Sequence, residues 1–164
     1  MILIGLGSNL PSPRHGPPAA NCAAALAALE DAGVAVRRVS RWYRSAPVPP
    51  SGQPWFVHGV AVVGTALAPG PLLEVLHAIE RGFGRARRAR NEARIIDLDI
   101  LAYDDLVSPP GEVPVLPHPR LAERAFVLLP LAEMAPEWRH PVSGLGAAEL
   151  ARRLPADQIA EPMT

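Results

Sequence analysis

Residues 94–103 read RIIDLDILAY, and this stretch decides the fold class. It is apolar apart from its first residue and two acids, Asp97 and Asp99. Side chains of a strand alternate between faces, so the two carboxylates share one face, while Ile96, Leu98 and Ile100 point the other way, into a core. A strand is therefore expected over 95–103. Before it, Pro69-Gly70-Pro71 opens a helix in which Leu72, Leu76, Ile79 and Phe83 recur at helical spacing, and Gly82 and Gly84 end it. Residues 55–67 (WFVHGVAVVGTAL) read as another strand. The loop before it, 46–54, holds four prolines and a glycine. Residues 34–44 are rich in β-formers but slip register near Arg37-Arg38, as a bulge would make them. A helix over 17–32 puts Cys22, Leu26 and Leu29 on one face and stops at Gly33. A strand over 2–6 comes first, and Gly5, Gly7, Ser8 and Asn9 read as a tight strand-end turn.

The order is strand, helix, strand, strand, helix, strand. That is the split βαβ pattern of ferredoxin-like α+β folds, a mainly antiparallel sheet with helices on one face and the other face open to a ligand. Residues 104–120 form a long proline-rich connection. An apolar segment over 126–131, a short helix over 146–154 and a polar tail follow, as an extension wrapped on the same core. No repeat divides the chain, so residues 1–164 are expected to be one domain.

Composition excludes several chemistries. The chain has 164 residues, 49% of them hydrophobic, and a formal net charge of zero. All sixteen basic residues are Arg. There is thus no P-loop lysine, no Schiff-base lysine and no kinase strand lysine, and phosphate must be handled by Arg, by main-chain N–H groups or by a metal. Zero net charge argues against a nucleic-acid partner. The single Cys22 allows no disulfide within the chain, which suits the cytoplasm. Residues 1–7 are too short for a signal-peptide core, and no apolar run reaches about 18 residues, so no membrane span is expected.

The acidic pair carries the chemistry. Two neighbouring carboxylates on an apolar strand are costly unless a cation neutralises them, and Mg²⁺ commonly binds through one or two carboxylates, completing its shell with water and phosphates. A solvent-exposed pair is the plain alternative. Between residues 81 and 94 six arginines (81, 85, 87, 88, 90, 94) stand against one acid, Glu92. A basic run beside an acidic pair suits a metal-bound polyphosphate; a solvated turn or an RNA-contacting patch is the alternative. His118, flanked by Pro117 and Pro119, is either a positioned phosphate ligand or an ordinary loop residue. Trp42, Tyr43, Trp55, Phe56 and Phe126 supply either core or a stack for a flat heterocycle. The readings left open are phosphoryl transfer, a magnesium-dependent nucleotidyltransferase that would release pyrophosphate, and an RNA-binding module.

Five segments resemble the 6-hydroxymethyl-7,8-dihydropterin pyrophosphokinase family of folate biosynthesis: 5–10 (GLGSNL), 40–47 (SRWYRSAP), 73–87 (LEVLHAIERGFGRAR), 94–103 and 116–136. The resemblance covers about residues 3–138. It implies a ferredoxin-like monomer that transfers the β,γ-diphosphate of ATP to a reduced pterin. Asp97 and Asp99 match the pair that holds two Mg²⁺ ions, and Arg94 a phosphate-contacting Arg. Arg85 and Arg87 match the opening of the catalytic loop; Arg85, Arg94, Asp97 and Asp99 are the implied catalytic set. Glu80, Ile100, His118 and Arg124 match further ATP-binding positions. Phe126 and Phe56 match the two faces of the pterin slot, and Ser45, Ala46 and Val48 the loop whose main chain reads the pterin edge. His58 stands on the pterin side where the family usually has Asn, and an imidazole does not copy the paired donor and acceptor of a carboxamide. Residues 90–93 read RNEA where many members have RWGP, and Pro119 stands where some carry an aromatic.

Overall fold

The structure, a computed structural model, describes residues 1–47, 49–84 and 94–163. Its centre is β1 (Ile2–Ser8), which pairs antiparallel with β4 (Phe56–Gly64) on one side and β5 (Asp97–Tyr103) on the other. Helix α1 (Pro18–Asp31) leads from β1 to β2 (Ala35–Val39), and α2 (Pro69–Gly82) leads from β4 to β5. Both β2 and the short β3 (Tyr43–Ser45) pair with β4, so the second strand of the expected pattern is split in two. A register shift between Val36 and Arg38 leaves Arg37 outside the pairing, where the alternation of the sequence slips. The final strand β6 (Ala160–Pro162) lies outside β3, inside the stretch read as a polar tail.

Alternation builds two cores on the two faces of the sheet. Ile2, Ile4 and Leu6, Val57, Ala61 and Val63, and Leu98 and Ile100 face the crossover helices, meeting Cys22, Ala25 and Leu29 of α1 and Leu72 and Leu76 of α2. Burial pushes the Cys22 thiol up to about 12, so it is a packing group. Leu3, Val60, Val62, Leu101 and Ala102 face the other way. They pack against Val127, Leu128 and Leu131 of α3 (Ala125–Met134) and Ala147 and Leu150 of α4 (Ala147–Arg152). The extension therefore builds its own core on the second face instead of wrapping the first. The physical reason is that Leu3, Val60 and Val62 would otherwise face water, at about 1.5–3 kcal/mol each. Among the described residues this cover stops short of Asp97 and Asp99, which face a cleft.

β5 starts at Asp97, two residues later than expected, because Arg94 is held off the ladder. Its N–H donates to Asn9 Oδ1 (2.7 Å), and its carbonyl accepts the N–H groups of Asn9 (3.0 Å) and Leu10 (3.1 Å). Glu80, 2% exposed near the end of α2, accepts the Leu98 N–H at 2.9 Å and so pins the outer edge of β5. Among the described residues no helix is long and apolar enough to cross a membrane.

Gly59 lies on the helix side of β4 beneath Trp42, where an added Cβ would come within 2.3 Å of the indole. Overpacking of this kind costs about 1–3 kcal/mol. Gly59→Ala is expected to lower Tm by about 2–10 °C in thermal unfolding; an unchanged Tm would show that the indole moves aside without cost.

Candidate functional site

Cross-strand pairing places the site residue by residue. Directly paired residues of antiparallel strands share a face. Asp97 pairs with Gly7, which pairs with His58, which pairs with Tyr43; in the next row Asp99 pairs with Gly5, which pairs with Val60. Gly5 and Gly7 are therefore strand residues, not a turn: β1 continues through both to Ser8. Their missing side chains clear the sheet between the acids and His58, and a Cβ at Gly7 would lie 3.0 Å from His58 Nδ1. Over this floor opens a cleft of about 210 Å³. Its walls include Ser45 at the end of β3 and Ala46 after it, Gln53, Arg120, Glu123 and Arg124 just before α3, and Phe126 in its first turn.

The acids are under electrostatic tension. Asp97 Oδ2 accepts from Arg94 Nη1 at 2.7 Å, with the two side chains 21% and 18% exposed. Burial pushes the Asp99 carboxyl up to about 7, and the charge of Asp97 adds to this, while Arg124 and Arg94 oppose it. Two ionised carboxylates here need more positive charge than these arginines supply. Among the described residues no cluster of three potential metal-ligating side chains occurs. The donor set, two carboxylates on one face, fits a magnesium ion that draws its remaining ligands from phosphate and water. Arg94 Nε is buried without a hydrogen-bond partner, a donor still to be satisfied. Burial, followed by the charge of Arg120, lowers the Arg124 pKa, against the pull of Asp99 and Asp97.

Beside the acids lies an aromatic group. The His58 ring is 3.8 Å from the Phe126 centroid at 10° and 5.2 Å from the Phe56 centroid at 17°. Burial pulls its pKa down to about 3, with Asp97 acting in the opposite sense, so the ring is neutral at pH 7. The Ser45 hydroxyl faces the same cleft, buried and without a hydrogen-bond partner. Ala46 donates its N–H to the Ile159 carbonyl at 3.3 Å.

Nine residues expected from the sequence converge on this cleft: Arg94, Asp97, Asp99, Ser45, Ala46, Phe56, His58, Arg124 and Phe126. Glu80, Ile100 and His118 are not among those lining it: Glu80 and His118 bind the outer edge of β5, the strand to which Ile100 belongs. Glu80 binds the Leu98 N–H, and His118 donates its own N–H to the Leu101 carbonyl at 2.8 Å. The Ile100 side chain, 3% exposed, belongs to the helix-side core, so its side chain takes no part in ligand contact. Burial lowers the His118 pKa to about 4, and its Nδ1 accepts the Arg120 N–H at 3.1 Å. Arg85, Arg87 and Val48 lie outside the described residues.

Two residues escaped the sequence reading. Asn9 binds the Arg94 N–H through its side-chain oxygen and donates through Nδ2 to Gln53 and to the Pro54 carbonyl, both at 3.1 Å. Gln158 accepts the Ala125 N–H and donates to the Glu123 carbonyl, both at 2.8 Å. It supplies the cap that α3 lacks, since Arg124 makes no side-chain capping bond. Asn9 sits inside the GLGSNL segment, which was the available signal; Gln158 had none.

Residues 3–136 match the family model described as 7,8-dihydro-6-hydroxymethylpterin-pyrophosphokinase. The chain is 39% identical over 153 residues to the 2-amino-4-hydroxy-6-hydroxymethyldihydropteridine pyrophosphokinase of Synechocystis sp., covering 93% of this chain and 75% of that one. To the protein of the same name from Pseudomonas aeruginosa it is 41% identical over 159 residues, 96% of this chain and 94% of the relative. Among solved structures, wild-type Plasmodium falciparum HPPK-DHPS shares the fold, with a TM-score of 0.69 at 16% identity over 92% of this chain and 44% of that longer one. With a matched span that runs from β1 through α3 and identity held across nearly its whole length, the chain belongs to the 7,8-dihydro-6-hydroxymethylpterin-pyrophosphokinase family.

Proposed function

We propose that this chain transfers the β,γ-diphosphate of ATP to the hydroxymethyl group of 6-hydroxymethyl-7,8-dihydropterin, giving AMP and the pterin diphosphate for folate biosynthesis. The observation that carries the reading is the order across two adjacent rows of the sheet: an acidic pair on β5, a floor of glycine on β1, then an aromatic group around His58 of β4. A polyphosphate at the acids and a heterocycle at the aromatics would thus meet over Gly7. Asp97 and Asp99 would hold Mg²⁺, two ions in this reading, whose chemistry when bound is to offset the triphosphate charge and favour its transfer.

The protein's own residues do the remaining work. Arg94 offers its unpartnered Nε to phosphate oxygen, and Arg124 and Arg120 face the same cleft. Arg85 and Arg87 belong to the phosphate contacts in this reading. At the outer edge of β5, Glu80 takes the Leu98 N–H and His118 the Leu101 carbonyl, flanking the Ile100 main chain as a short edge that a purine can read. Phe56 and Phe126 stack the pterin, the Ser45 hydroxyl finds its missing partner on the pterin edge, and the loop through Ala46 and Val48 closes that side. His58 lies at the same slot. Orientation of hydroxyl and β-phosphorus supplies catalysis, with electrostatic stabilisation of the departing AMP oxygen. We read residues 1–164 as one catalytic domain acting as a cytoplasmic monomer, without nucleic acid or membrane as partner.

Incubated with ATP, Mg²⁺ and the dihydropterin, the protein should form AMP only when the pterin is present, read by phosphorus NMR; pyrophosphate release in its place would refute the transfer proposed. Asp97→Ala and Asp99→Ala should each lower kcat by at least ~10³, about 4 kcal/mol of barrier. Near-normal turnover in either would remove the metal assignment.

Asp99 also makes a pH-dependent prediction. Burial pushes its carboxyl up to about 7 in the fold, against about 3.9 for a free aspartate. Between these limits the folded state keeps a proton that the unfolded chain has lost, so stability falls as pH rises from about 4 to about 7. Asn at 99 cannot ionise. In EDTA, Asp99→Asn should exceed wild type in urea stability by about 1–4 kcal/mol at pH 8, with the advantage gone at pH 4. Equal stability at pH 8 would show that the pair is at ease without added cation.

A further inference from the structure

His58 projects from β4 onto the open half of the second face, two residues after Phe56 and under the start of α3. Its ring lies nearly parallel to both neighbours, 3.8 Å from Phe126 and 5.2 Å from Phe56. A separation of 3.8 Å is that of rings in face contact, so the imidazole takes the layer a flat ligand would need against Phe126. We propose that His58 is a resident ring in the pterin slot, displaced by the substrate, and that the cost of displacing it sets the affinity for pterin. The inference rests on the function proposed above, because the competitor is the pterin of that reaction.

Three features support it. The ring is uncharged and hydrogen-bonded to the Leu6 main chain, so it is held in the slot without bringing a charge there. A carboxamide at this place has no ring to put between two aromatics, so the effect comes from this chain's histidine and not from the slot as such. The floor beneath the ring is Gly7, whose missing Cβ would stand 3.0 Å from Nδ1, so the bare glycine is what makes room for the resident imidazole. A ligand that binds only the cleared slot has its apparent affinity reduced by the fraction of time the slot is clear. Phe126 and Phe56 then do double duty, holding the imidazole in one state and the pterin in the other.

The test uses 6-hydroxymethylpterin, Mg²⁺ and an ATP analogue with a methylene group in place of the α–β bridging oxygen, with binding read by calorimetry. His58→Ala removes the resident ring and should bind the pterin about tenfold more tightly than wild type, the 1.4 kcal/mol of one decade at 25 °C. His58→Phe keeps a larger ring there and should bind it more weakly than wild type. In wild type the His58 ring protons should sit upfield, shielded by Phe126, and move downfield when pterin is added. Weaker binding by His58→Ala would mean that the imidazole reads the pterin directly, and would overturn the proposal. Pterin binding that leaves the His58 resonances unmoved would do the same while the proposed function stands. If neither wild type nor the variants bind pterin at all, the proposed function fails and this inference with it.

Discussion

The placement of two carboxylates on the part of a sheet face that α3 and α4 leave open is the constraint on which this architecture turns. Asp97 and Asp99 share a face because strand side chains alternate, and the same alternation sends Leu98 and Ile100 into the helix-side core. The acids cannot move to water without pulling those residues out of the core. They are therefore held where burial is expensive for them, and the surroundings compensate. Arg94 is bound to Asp97, and its main chain is tied to Asn9. The glycines opposite the acids bring the β1 backbone close without adding side chains.

The second-face cover completes the site. Had α3 and α4 covered all of that face, no cleft would remain; had they been absent, Leu3, Val60 and Val62 would lie bare. Their packing stops where the glycines begin. The start of α3 consequently overhangs the open half and delivers Arg124 and Phe126 to it. That end of the helix is held by the tail. Gln158 caps it, Ile159 binds the Ala46 N–H, and β6 pairs with β3, so one short segment fixes both the loop and the helix that face the slot. On the far side, Tyr43 and Arg41 both bind Glu133, fastening α3 to the sheet.

Patterns of period two and near four were legible because burial enforces them. The split βαβ order, the bulge at Arg37 and the shared face of Asp97 and Asp99 all followed from it. What had no period was missed. Gly5 and Gly7 looked like a turn, since glycine in a strand is explained only by what lies over it, here the cleft and His58. The side of the sheet that the extension covers is a long-range choice that no local pattern records. β6 is three residues of ordinary composition, made a strand by the free edge of β3. The ring position of His58 depends on Phe126, 68 positions later, and so emerged only in the folded chain.

The electrostatics also say what sort of ligand the cleft is built for. Asp99 is pushed toward its neutral form while Arg124 is pushed toward its own, and burial is the leading cause of both. Each is relieved by the opposite charge. A simple anion would ease Arg124 and worsen Asp99, whereas a lone cation would do the reverse. A ligand carrying both signs close together relieves the two at once, and a cation-bound polyphosphate has that character. Direct contact between the groups would serve instead, as it does for Arg94 and Asp97, but it would consume the donors and acceptors that the cleft presents. The tension on both sides is thus the signature of a site complementary to charge in layers: carboxylate, cation, phosphate, guanidinium.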